Sequence, residues 1–150
     1  MQRAKLRKNY KFLPDIATAD LAYEAFGKNP SELFENAGIA LESVMVDLTT
    51  ITAQSIKEIN IKRNSLGNLL TSFLEELVFL KDTEQILFST ILCDVNKQGK
   101  SWTLNCKLGG EKIDRQKHKL GVDVKAVTKH LFKIEKLPSK ILHCQVVLDI

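Results

Sequence analysis

Asp15-Ile16-Ala17-Thr18-Ala19-Asp20-Leu21-Ala22-Tyr23-Glu24-Ala25-Phe26-Gly27 places a carboxylate at the mouth of an apolar strand. On an extended chain Leu21, Tyr23 and Ala25 point one way and Ala22, Glu24 and Phe26 the other, the alternation of a half-buried strand. Asp20 stands at its entrance. The closing residues, Val146-Val147-Leu148-Asp149-Ile150, form a second apolar strand that carries Asp149 and the terminal carboxylate of Ile150. Where the two strands are neighbours, three carboxylates converge. Hard oxygen donors of that kind suit Ca²⁺, Mg²⁺ or Mn²⁺ rather than zinc. Like charges held together require a cation or a basic neighbour, and Lys125 is one candidate. The alternative is that Asp20 caps its own turn and that Asp149 is a solvated end residue.

Between these strands the chain punctuates itself clearly. Tyr10-Lys11-Phe12-Leu13 is a short strand stopped by Pro14, which cannot donate to a ladder. Asn29-Pro30-Ser31-Glu32 starts a helix: Asn29 caps, Pro30 suits the first position and Glu32 can reach back as in a capping box. Leu33, Ala37, Ala40, Leu41 and Val44 then recur as one apolar stripe, with Glu35, Asn36 and Glu42 off it, and the helix ends near Asp47. A threonine-rich connector, Leu48 to Gln54, leads to a strand through Ile56, Ile59 and Ile61 that ends at Lys62-Arg63. Asn64 or Ser65 caps a second helix, whose stripe of Leu66, Leu69, Leu70, Phe73, Leu74, Leu77 and Leu80 is the strongest helical signal in the chain.

From Gln85 the period changes to that of strands. Ile86 to Cys93 and Trp102 to Leu108 make a hairpin about a turn at Asn96 to Gly99, and Gly109-Gly110 breaks the second strand. Val122 to Ile134 and Ile141 to Ile150 supply two more strands, separated by Leu137-Pro138-Ser139. No regular βαβα alternation occurs, so the pattern specifies an α+β domain, with two helices packed on largely antiparallel sheet.

One hundred and fifty residues suffice for a single domain (1–150) burying roughly 68–70% of its unfolded surface. Residues 1–9 read as a flexible basic arm without the apolar core of a signal peptide, and no run approaches the roughly 20 apolar residues that span a bilayer, so the expectation is a cytoplasmic protein with no membrane partner. Cys93, Cys106 and Cys144 lie in apolar strand-like segments without a CxxC pair and read as buried free thiols. The net charge of +4 is unevenly split: residues 95–150 hold 12 basic and 5 acidic side chains, residues 1–94 hold 10 and 13. Lys112, Arg115, Lys117, Lys119, Lys125, Lys129, Lys133, Lys136 and Lys140 could form a face for RNA or an acidic partner, although aromatic stacking residues are missing there. The bland reading is a solvated surface.

Walker, GxGxxG, HExxH and GxSxG motifs are all absent. His118 falls in a lysine-rich loop and reads as a surface group, and His130 and His143 fall in strands without an adjacent nucleophile. No catalytic residue is assigned. A small metal-dependent hydrolase built on the paired carboxylates is the weakest reading.

Several pieces of this sequence occur together in one known family. They are Thr18-Ala19-Asp20 before a strand ending in Gly27, Glu32-Leu33-Phe34-Glu35-Asn36-Ala37, and Phe73-Leu74-Glu75-Glu76-Leu77 with Asp82-Thr83-Glu84. Later come Gly110-Glu111, Lys117-His118, Val124-Lys125-Ala126-Val127-Thr128-Lys129-His130 and Val147-Leu148-Asp149-Ile150. In that order they resemble the archease family, protein cofactors of the RtcB-type tRNA-splicing ligase. The resemblance implies a non-catalytic activator that promotes ligase guanylylation and multiple turnover in tRNA exon joining, with tRNA met indirectly or weakly. The alternative is a basic RNA-binding module or chaperone acting on tRNA. The resemblance also implies two strand-helix-strand-strand modules, one inserted in the other, and a divalent cation, Ca²⁺ before Mg²⁺ or Mn²⁺, held by Asp20, Asp149 and Ile150. Lys125 and His118 are the expected partner contacts. Ala17 stands where many family members carry histidine, which removes one side chain that could orient Asp20. Lys129 stands where many carry tyrosine.

Overall fold

The computed structural model describes residues 9–14 and 20–150. Residues 1–8 of the expected arm, and Ala17 with its neighbours at 15–19, lie outside the described residues. The described residues form seven strands and two α-helices in the order β1 (Tyr10–Phe12), β2 (Leu21–Gly27), α1 (Pro30–Met45), β3 (Ser55–Arg63), α2 (Leu66–Glu84), β4 (Ile86–Gln98), β5 (Ser101–Lys112), β6 (Ala126–Lys136) and β7 (Leu142–Asp149), with one 3-10 turn at Leu48–Thr50.

The helix starts are those the sequence specifies. The Asn29 side chain accepts the Glu32 N–H at 2.9 Å, and Glu32 reaches back to the Lys28 N–H at 3.1 Å. Ser65 caps the second helix by accepting the Asn68 N–H at 3.1 Å, which decides between Asn64 and Ser65.

Among the described residues the antiparallel sheet expected from the sequence takes the form of two sheets, both wholly antiparallel: a four-stranded sheet in the order β1-β2-β7-β6 and a three-stranded sheet in the order β3-β5-β4. Two modules of strand-helix-strand-strand explain both orders. In β2-α1-β6-β7 and in β3-α2-β4-β5 alike, the first strand lies beside the last, and the second module is inserted between α1 and β6 of the first. The chain enters and leaves the insert side by side, with Val46 bridged to Leu120, the Asp47 N–H donating to Lys119 O at 2.8 Å and Ser55 opposite Gly110. Each helix touches both sheets, so the helices fill the space between them and one apolar cluster runs through from Tyr23 to Phe88.

Three strand boundaries differ from expectation, each for a backbone reason. β5 does not break at Gly109-Gly110 but runs on to Lys112. There the partner strand bulges between Phe88 and Thr90, and a Cβ on Gly110 would sit 2.0 Å from Leu87 O. The glycines mark a close approach within the sheet and not its end. The hairpin turn is tighter than expected, because Gln98 pairs with Ser101, leaving Gly99 at φ 63° and Lys100 as the loop. β6 begins at Ala126 and not Val122, because the Gly121 and Val122 N–H groups are taken by the last carbonyls of α1, Met45 O at 2.8 Å and Val44 O at 2.9 Å.

Candidate functional site

β2 and β7 are neighbours, in register from Leu21 opposite Leu148 to Gly27 opposite Leu142. Asp20 directly precedes Leu21 and Asp149 directly follows Leu148, so both stand at the same end of one ladder. β6 completes the corner: Ala126 lies opposite Asp149, and the Lys125 N–H donates to Asp149 O at 2.8 Å. Ile150 packs partly buried against the core, while Asp20 and Asp149 are half-buried and Lys125 is exposed. Alternation turns Leu148 inward and Asp149 outward. Among the described residues, no hydrogen bond or ion pair engages either Asp20 or Asp149 through its carboxylate. Two carboxylates at one strand end, without a partner among the described residues, are a donor set that fits a hard divalent cation. Among the described residues no group of three or more His, Cys, Asp or Glu side chains is placed to hold a metal ion, and Ile150 is the residue next to Asp149.

The corner is braced from the inserted module. Lys81, on α2, is buried and directs its ammonium to Asp123 Oδ1 at 2.6 Å and Val124 O at 2.8 Å, with Asp82 as a further partner. Burial pulls that ammonium down, but Asp123 and Asp82 outweigh it and hold it above its ordinary value. Residues 123 and 124 lead directly into Lys125, so Lys81 fixes the segment that meets Asp149.

His118 departs from the surface reading. Its ring is buried; Nδ1 accepts the Asp114 N–H at 2.9 Å, which puts the proton on Nε2 to donate to Glu111 Oε2 at 2.9 Å. Glu111 also takes Lys117 and the Thr52 N–H. The Lys117 hydrogen bond first, then those from Thr52 and His118, hold its carboxyl down to about 2. Gly110-Glu111 and Lys117-His118 thus meet in one knot that ties the exit of the insert to its entrance. Of the two residues expected to meet a partner, His118 is thus enclosed and Lys125 is exposed. His143 is buried as well, between Glu135 Oε2 at 2.8 Å and Glu24 Oε2 at 3.0 Å. His130 is exposed in an irregular stretch of β6 between Thr128 and Lys133. The three cysteines are buried free thiols, as expected. Sequence reasoning missed Lys81, whose place in the leucine-rich helix gives no sign of the distant Asp123.

Residues 10–150 match the Archease protein family (MTH1598/TM1083). The chain belongs to the archease family. It is 37% identical over 133 residues to a Pyrococcus abyssi protein archease, covering 89% of this chain and 94% of that one. It is 32% identical over 144 residues to a Methanosarcina barkeri protein archease, covering 95% and 97%. The solution structure of Methanobacterium thermoautotrophicum protein 1598 superposes with a TM-score of 0.85 at 32% identity, covering 96% of this chain and all of that one. Family membership accounts for the nested modules and for the order of the sequence pieces that carried the resemblance. No helix among the described residues is long and apolar enough to cross a membrane.

Proposed function

We propose that this archease-family chain is a non-catalytic activator of an RtcB-type tRNA-splicing ligase, promoting ligase guanylylation and repeated turnover in exon joining. The observation that carries this reading is the placement of two carboxylates, Asp20 and Asp149, at one end of the β2–β7 ladder beside Lys125, with no side-chain partner among the described residues. Asp20, Asp149 and the Ile150 carboxylate would hold the divalent cation, Ca²⁺ by family resemblance with Mg²⁺ or Mn²⁺ as the other hard ions. The bound ion would supply positive charge at an otherwise acidic tip, and Lys125 would offer the ligase a second contact. GTP and Mn²⁺ chemistry would remain with the ligase, and tRNA would be met indirectly. Action in the cytoplasm follows from that role.

The test is ligation of a cleaved tRNA by the cognate ligase under multiple turnover, with and without this protein. Stimulation is expected from the parent chain and at least a tenfold smaller effect from Asp149→Ala, with calorimetric binding of Ca²⁺ lost in parallel. Full stimulation by Asp149→Ala removes the corner from the mechanism. The excess of 12 basic over 5 acidic side chains in residues 95–150 supports a second reading, direct RNA binding. That reading replaces the first if the chain alone binds tRNA tightly, loses it steeply with salt and leaves ligase turnover unchanged.

A further inference from the structure

Cys93 and Cys106 stand directly opposite each other on β4 and β5. Their Sγ atoms are 3.2 Å apart, and both thiols are free and buried. The Cys93 N–H donates to Glu35 Oε2 on α1 at 2.9 Å, so it points away from β5, and the two cysteines are a non-hydrogen-bonded pair of the ladder. Such pairs bring Cα atoms to about 4.5 Å with their side chains closest, inside the roughly 4.4–6.8 Å that a disulfide bridges. Cys144 lies on β7 in the other sheet, so the partner of each is unambiguous.

We propose that Cys93 and Cys106 are a site of reversible oxidation, closing to a cross-strand disulfide with a peroxide-class oxidant while β4 and β5 stay in register. In the first step one sulfur bonds an oxygen of hydrogen peroxide, the O–O bond breaks and water leaves, giving a sulfenic acid. In the second, the other sulfur attacks it, the S–O bond breaks, and the hydroxide departs with the remaining thiol proton as water. Two thiols and one peroxide become one disulfide and two waters, the sulfurs losing the two electrons that the peroxide gains.

Access sets the pace. Both thiols are buried, and Cys93 and Cys106 line a hollow of ≈ 450 Å³ together with Glu58, Leu92, Asp94 and Lys107. Its hydrogen bond to Cys106 and its burial push the Cys93 thiol up, so thiolate is scarce and oxidation waits on opening of the edge strand β4. Once closed, the bond ties that edge to the centre of its sheet.

Folded full-length chain is incubated overnight with hydrogen peroxide, then denatured, alkylated and analysed by intact mass and peptide mapping. Three adducts are expected before oxidation and one after, on Cys144, with a Cys93–Cys106 peptide that a reductant resolves to restore three. The oxidised chain is expected to melt higher than the reduced one. Cys93→Ala should keep two adducts after the same exposure. Retention of three adducts, a bond to Cys144 or to a second chain, sulfinic or sulfonic acid without the cross-link, or a lower melting temperature on oxidation each overturns the proposal.

Discussion

Glu42 on α1 is fully buried, with Oε1 accepting the Phe88 N–H at 3.0 Å and Oε2 without a partner. Burial raises its carboxyl to about 8, against the smaller opposing pulls of the Phe88 N–H and the Lys81 charge. The group is therefore neutral at pH 7. Because its folded value lies above its unfolded one, its contribution to stability is complete below the unfolded pKa of 4.5. It falls as pH rises from there and is lost by the time pH passes about 8. The loss is on the order of a few kcal/mol. Glu42→Gln keeps the acceptor without the titration, so its denaturant-derived stability should be flatter across that window; parallel pH profiles for the two proteins would refute the assignment. At this scale the sequence was partly legible. Asp20 and Asp149 could be found from their places at strand ends. The burial of Glu42 and His118 could not, because each is enclosed by residues from other elements.

At the scale of elements, α1 does more than present an apolar stripe. Ser31 and Glu35 lie one turn apart and Glu35 and Glu42 two turns apart on one face, and they accept the N–H groups of Val95, Cys93 and Phe88 along the edge of β4. A helix covers a strand edge that would otherwise invite pairing with another chain. Glu35 and Glu42 fall off the apolar stripe, and helical periodicity alone gives them no place in the core. The Gly109-Gly110 pair misled for a related reason: sequence shows a residue that tolerates a break, while only the bulge in β4 shows that close approach is its use. Gly110→Ala would drive a Cβ against the Leu87 carbonyl, and we expect a loss of about 3 kcal/mol or more, read by chemical denaturation. A loss below about 0.5 kcal/mol would mean that β4 and β5 are not so tightly apposed there.

For the whole molecule, the inserted module holds the outer one in place through Lys81. Lys81→Met retains length but leaves Val124 O without its 2.8 Å donor and frees Asp123. We expect a cost of roughly 1–3 kcal/mol and weaker binding of the cation proposed at Asp149, since the Lys125 N–H that meets Asp149 O is the next residue along. Unchanged stability and unchanged Ca²⁺ calorimetry would show that the brace is dispensable. By itself the sequence determined the two helices with the cap of the first, most of the strands, the antiparallel α+β class and the acidic character of both strand ends. These follow from local periodicity and from residues such as Asn29, Pro30 and Glu32 that act within a turn of where they stand. Only the tertiary structure decided that there are two sheets, that Cys93 meets Cys106, and that Lys81 reaches Asp123. Those pairings join residues far apart in the chain, and a one-dimensional pattern fixes the face a side chain takes but not the surface that face will meet.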